Sequence, residues 1–187
     1  MKINILSCCF AGHRESKLPY KYGTDQYEKL RNILKDVIKD LIKCGVANWY
    51  AGCQNGIDNL ASMIVLELKE EIGTTAYLHL IQPYKDMELD FEPRQEQEYQ
   101  EIKSNADSFQ VLHQIKTSNC YRERNQRMVD KSDFLIAVLD RRQSASGTIM
   151  TINMAKRKGI EIRIIDAVTY EVETIPAKTP PKLLIEE

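Results

Sequence analysis

No two cysteines in this chain have C-x-x-C spacing, and the five cysteines, at positions 8, 9, 44, 53 and 120, stand away from the three histidines at 13, 79 and 113. That pattern excludes the usual metal-ligand spacings and argues against a disulfide scaffold, so free thiols in a reducing cytosol are expected. Charge of one sign is also missing. Lys and Arg total 26 against 27 Asp and Glu, so no bulk positive field draws the protein onto nucleic acid or anionic lipid. Long hydrophobic runs are absent as well. The amino terminus has one Lys and then a short β-like run that meets Gly12-His13-Arg14, too brief and too polar for a signal peptide or a membrane span. A cytoplasmic protein with no membrane contact, no metal and no cofactor is expected. What is present is a 43% hydrophobic content over 187 residues, which suits one α/β domain with a substantial core and leaves little for a second.

The chain is organised around Asn48-Trp-Tyr-Ala-Gly-Cys-Gln-Asn-Gly-Ile-Asp-Asn-Leu-Ala61. It reads as a short buried strand, a tight turn with Gly52 and Gly56, and a helix opening on Gly56 to Asp58 with apolar residues at helical spacing through Leu68. Strand, glycine turn and helix is how an α/β protein builds a phosphate site, because glycine lets backbone approach an anion and the helix start offers free N–H groups. The same two glycines also suit a turn that needs them for its geometry alone.

Three other strand ends carry polar turns. Lys2 to Phe10 reads as a central strand ending in Phe10-Ala-Gly12-His13-Arg14, where Arg14 offers a planar fork for an anion and His13 can donate or accept near neutral pH. A surface ion pair and a cap are the ordinary alternatives for these two. The polar loop from Glu15 to Gly23, with Pro19, has Tyr and Lys positions able to lean over a site. A helix capped by Thr24 or Asp25 runs to Cys44-Gly45. Thr75 to Ile81 is a strand that exits at Gln82-Pro83-Tyr84, and an acidic stretch leads to a helix near Pro93. Ser108 to Leu112 is a further strand. Cys120 to Met128 is a helix with Arg122, Arg124 and Arg127 beside Asn125, and few apolar positions. Phe134 to Leu139 is a buried strand, emptying into a loop whose Ser146-Gly147-Thr148 opens the helix Ile149 to Arg157. Ile160 to Ile165 is the last strand expected. Residues 1–170 form the domain and 171–187 a C-terminal tail, loosely ordered from Pro176.

Strands alternating with helices predict an α/β, Rossmann-like, doubly wound and mostly parallel sheet with helices on both faces. Each polar turn has an ordinary structural explanation; four of them at strand carboxyl ends point to one shared hollow.

Phe10-Ala-Gly-His-Arg14, Gly52-x-x-x-Gly56-Ile-Asp58, Arg124-Asn125-x-x-Met128 ahead of the strand at 133–138, and Ser146-Gly147-Thr148, in this order, resemble the SLOG superfamily and its YpsA-like branch over about residues 1–166. The resemblance implies a nucleotide-derived ligand, and relatives of the LOG phosphoribohydrolase and DprA kinds imply base removal from nucleoside monophosphates or single-stranded DNA binding as alternatives. In the LOG enzymes an arginine matching Arg124 and a glutamate after the Gly-Thr pair carry the reaction. Here Met150 and Thr151 stand where the acidic pair is expected, and Gln143-Ser144-Ala145 replaces the preceding Pro-Gly-Gly. Cleavage through an oxocarbenium-like state needs a nearby carboxylate, so binding without catalysis is the expectation, with Asp58 or Asp140 as the substitute carboxylates a hydrolase would need. Phosphate is expected on the turns Gly52 to Gly56 and Ser146 to Thr148, Arg14 and Arg124 neutralising its charge and Asp58 taking a ribose hydroxyl. A DNA groove would have only Arg122, Arg124, Arg127, Arg141 and Arg142 as its patch. Relatives often pair through helices, which implies a homo-oligomer, although no stripe identifies the face.

Overall fold

The structure, a computed structural model, describes residues 5–143 and 146–181. The expected strand start at Lys2, the Ser144-Ala145 dipeptide and the last residues of the tail lie outside the described residues. Seven strands form one sheet in the order β4-β3-β2-β1-β5-β6-β7. β1 (Leu6–Gly12), β2 (Val46–Ala51), β3 (Tyr77–Tyr84), β4 (Ser108–His113), β5 (Phe134–Leu139) and β6 (Glu161–Asp166) run parallel, and β7 (Val172–Ile175) joins the far edge antiparallel to β6. The doubly wound, mostly parallel Rossmann-like sheet is therefore present.

Alternation along β1 decides which face each helix layer covers. Cys8 and Phe10 point into one apolar cluster, shared with α1 (Asp25–Lys43), α2 (Ile57–Glu71) and α3 (Pro93–Asn105); Cys9 and Ala11 point into the other, shared with α4 (Cys120–Asp130) and α5 (Gly147–Lys158). A strand buried on both faces reads as a continuous apolar run, which is why β1 and β5 were legible. α1 forms because Tyr27, Leu30, Leu34, Val37, Ile38 and Leu41 recur at helical spacing and bury one stripe, while Thr24 caps the start through its side chain. α5 stops at Gly159, whose φ of 83° is left-handed.

Two elements differ from expectation. Gln82-Pro83-Tyr84 belongs to β3 itself rather than to its exit. β7 falls in the segment read as tail; it has four residues, three of them exposed, so it lacks the apolar run that announces an interior strand. Among the described residues no helix is long and apolar enough to cross a membrane.

The chain builds outward from β1 to β4 on one side, then crosses to β5 on the other. The reversal leaves a crevice over the carboxyl ends of β1 and β5, the position where open α/β sheets hold ligands.

Candidate functional site

Three glycines bring the walls of this crevice together. A Cβ on Gly12 would lie 2.4 Å from the Ile57 side chain, so the end of β1 and the start of α2 touch only because position 12 has no side chain. Gly56 has φ 100°, and a Cβ there would meet the main chain of His13 and Glu15 at 2.5 Å. A Cβ on Gly52 would lie 1.3 Å from Nη1 of Arg124, so the guanidinium rests directly on the turn after β2. The geometric alternative for Gly52 and Gly56 describes what they do: they stand behind the cleft and are not part of its lining, whereas Gly12 is.

The cleft encloses about 330 Å³. The end of β1 supplies its floor. His13, Arg14 and Lys17 form one wall, Gln54 and Asp58 a second, Tyr121, Arg124 and Asn125 of α4 a third, and the start of α5 from Ser146 to Thr151 the last. Thus Gly12, His13, Arg14, Asp58, Arg124, Asn125, Ser146, Gly147 and Thr148 are assembled around one space. The end of β3 is not among them.

Arg124 and Asp58 are both buried, and Nη1 donates to Oδ2 at 2.9 Å. The same carboxylate oxygen accepts from the Gln54 main-chain N–H at 3.4 Å. Burial pushes the Asp58 carboxyl up and the Arg124 charge pulls it back, with burial prevailing. These two charges neutralise each other, so Arg124 does not stand as the unpaired cation that was expected to neutralise an anion. Arg14 and Lys17 are exposed at the rim, and neither forms an ion pair among the described residues. The Arg14 guanidinium lies 5.3 Å from the Tyr121 ring centre, and that of Arg124 lies 5.9 Å from it.

His13 does not carry charge here. Its Nε2 accepts a 3.0 Å hydrogen bond from the Asp140 main-chain N–H, which places the proton of the neutral ring on Nδ1, and burial lowers its pKa against the pull of Asp140. The Asp140 carboxylate is clasped by Arg142 through Nε at 2.9 Å and Nη2 at 2.8 Å, which holds its pKa well below the usual range. Asp140 lies outside the cleft lining.

Ser146 caps α5, its Oγ accepting from Ile149 N at 3.2 Å, so the helix start and its positive dipole end face the cleft. The Thr151 hydroxyl accepts from Asn125 Nδ2 and donates to Gly147 O, each at 2.8 Å. The residue standing where an acidic side chain is expected in an enzyme therefore ties α4 to α5. Gln54, Tyr121 and Gln143 line the cleft without having been singled out from the sequence, whereas Lys17 belongs to the loop whose Lys positions were expected to lean over a site. Tyr121 shares a helix face with Arg124 and Asn125, a spacing that could have revealed it.

The arginine patch that the DNA-binding alternative would use is largely paired. Arg124 pairs with Asp58, Arg141 with Asp166 and Glu173, and Arg142 with Asp140, leaving Arg122 and Arg127. Among the described residues no group of three His, Cys, Asp or Glu side chains is placed to hold a metal ion.

A family model described as the YspA SLOG family matches residues 8–171. No curated protein matches the chain.

Proposed function

The chain belongs to the YspA SLOG family, and from that premise we propose that it binds a nucleotide-derived small anion in the cleft above β1 and β5, as a ligand-sensing domain rather than a catalyst. One observation carries this reading: two cations without carboxylate partners among the described residues, Arg14 and Lys17, share a 330 Å³ cleft with the start of α5. A phosphate there meets guanidinium, ammonium and helix N–H groups at once. The volume falls in the range of small-ligand sites. Tyr121 offers an aromatic surface for a planar base.

Calorimetric titration with AMP and with inorganic phosphate tests it. Saturable binding below millimolar concentration is expected, weakened at least tenfold when Arg14→Ala and Lys17→Ala are combined. No heat from either probe at millimolar concentration would sink the proposal.

Hydrolysis is the second reading, favoured by a single carboxylate in the cleft, Asp58, whose pKa burial raises. It requires release of free base from a nucleoside monophosphate, abolished by Asp58→Asn. Both Arg124 and Gln54 already occupy one of its oxygens, which favours binding alone.

A further inference from the structure

Glu15 is the one acidic residue of the loop from Glu15 to Gly23, and it stands next to Arg14 and two residues before Lys17, the cations of the cleft that have no carboxylate partner among the described residues. It pairs with neither. Nη2 of Arg94, on α3 and 79 residues away, donates to both oxygens of the Glu15 carboxylate. The guanidinium is itself held from two other sides: its Nη1 donates to Glu98, and the Tyr22 ring centre lies 3.7 Å from it. Neither Glu15 nor Arg94 lines the cleft.

This distant pairing replaces a local one. Main-chain bonds close a tight turn here, Lys17 N donating to Arg14 O at 2.9 Å and Leu18 N to Glu15 O at 3.1 Å, so the side chains of Arg14, Glu15 and Lys17 leave one short stretch of backbone. An exposed pair formed within that stretch would be weak. A free carboxylate there nonetheless repels an incoming phosphate and competes for the same cations. Arg94 removes the competitor, because a guanidinium already fixed by Glu98 and Tyr22 offers Glu15 charge-assisted bonds to both of its oxygens.

We infer that Arg94 is a positioning residue of the anion site: it withholds the Glu15 carboxylate from Arg14 and Lys17 and so keeps both cations free for phosphate. This rests on the anion-binding reading above and adds to it a residue outside the cleft that sets the charge inside it. Fastening the loop is the rival role, since Arg94 touches Glu15 and Tyr22 near the loop's two ends. The two roles part at Glu15. Withholding a charge becomes unnecessary once the charge is gone, whereas fastening requires Glu15 to stay anionic.

Calorimetric titration with inorganic phosphate separates the two. Arg94→Gln is expected to weaken phosphate binding about fivefold, the effect of one exposed carboxylate released beside the anion. Glu15→Gln is expected to bind phosphate at least as tightly as the unaltered protein, and the double variant to match Glu15→Gln. Should Arg94→Gln fail to fold, Glu15→Gln decides alone, because weaker binding by that variant contradicts withholding. Undiminished binding by Arg94→Gln, or weaker binding by Glu15→Gln, would overturn the inference and leave the anion site standing. No phosphate binding by the unaltered protein would remove the anion site and this role with it.

Discussion

Gly52 and Gly147 show how one residue type serves opposite ends in a single site. At Gly52 any side chain displaces the Arg124 guanidinium, and Arg124 cannot leave without stranding the buried Asp58 charge. Gly52→Ala is expected to cost about 3 kcal/mol, as breaking a buried pair does, and in an Arg124→Ala background the added cost should fall below about 1 kcal/mol. Among the described residues a Cβ at Gly147 meets nothing within 4 Å, so Gly147→Ala should stabilise by up to about 1 kcal/mol through helix propensity. Urea unfolding of wild type, the three single variants and the Gly52→Ala/Arg124→Ala double variant checks the contrast; equal costs at both glycines would contradict it. The two positions look alike in the sequence, and only their surroundings separate them.

His13 gives the residue scale a pH dependence. Its neutral ring accepts from Asp140 N, and an imidazolium has no lone pair to do so. The folded pKa lies below the ordinary value near 6.5, so this contribution is complete above about pH 6.5 and is lost as pH falls through the lowered value. His79 is shifted in the same direction by burial, so the difference between wild type and His13→Gln isolates His13. The thermal midpoint of wild type should fall more than that of the variant between pH 7 and 5; parallel curves would refute the assignment.

Among elements, α4 and α5 matter most to the cleft, and a hydroxyl joins them. Thr151→Val keeps the shape and removes the acceptor of Asn125 and the donor to Gly147 O. A cost of about 1–3 kcal/mol is expected from the unpaired buried amide, with weaker phosphate binding because Gly147 sits at the start of α5. Thr151→Ser should restore most of both. The extent of α5 was legible because its ends carry local signals: the Ser146 cap, and Gly159 after a basic last turn. The bond between α4 and α5 was not legible, since Asn125 and Thr151 are 26 residues apart and neither belongs to a motif for the other.

At the scale of the whole molecule, β7 closes a sheet edge. It pairs antiparallel with β6 from Ile162 to Ile165, and Lys178 N continues the contact by donating to Gly159 O. Without it β6 presents unpaired main-chain groups, a template for another chain. A protein ending at Glu171 is expected to self-associate at concentrations where the full chain is monodisperse, while phosphate binding persists, since the cleft lies over β1 and β5. Light scattering and calorimetry on the shortened protein check both halves; an unchanged particle size would show that β7 is dispensable.

The sequence by itself determined the layers. Apolar runs marked β1 and β5 as interior strands, helical periodicity marked α1 and α2, and the alternation of the two fixed a doubly wound sheet whose polar turns gather along one rim. Local patterns suffice for this because strand and helix periods are properties of neighbouring residues. The tertiary structure alone decided which charges remain without an ion-pair partner among the described residues. Arg14 and Arg124 are indistinguishable as guanidinium groups in the chain, but the fold buries one against Asp58 and leaves the other at the rim beside Lys17. A charge is cancelled by whatever lies within a few ångströms of it, and that distance is set by the folding of segments far apart in sequence.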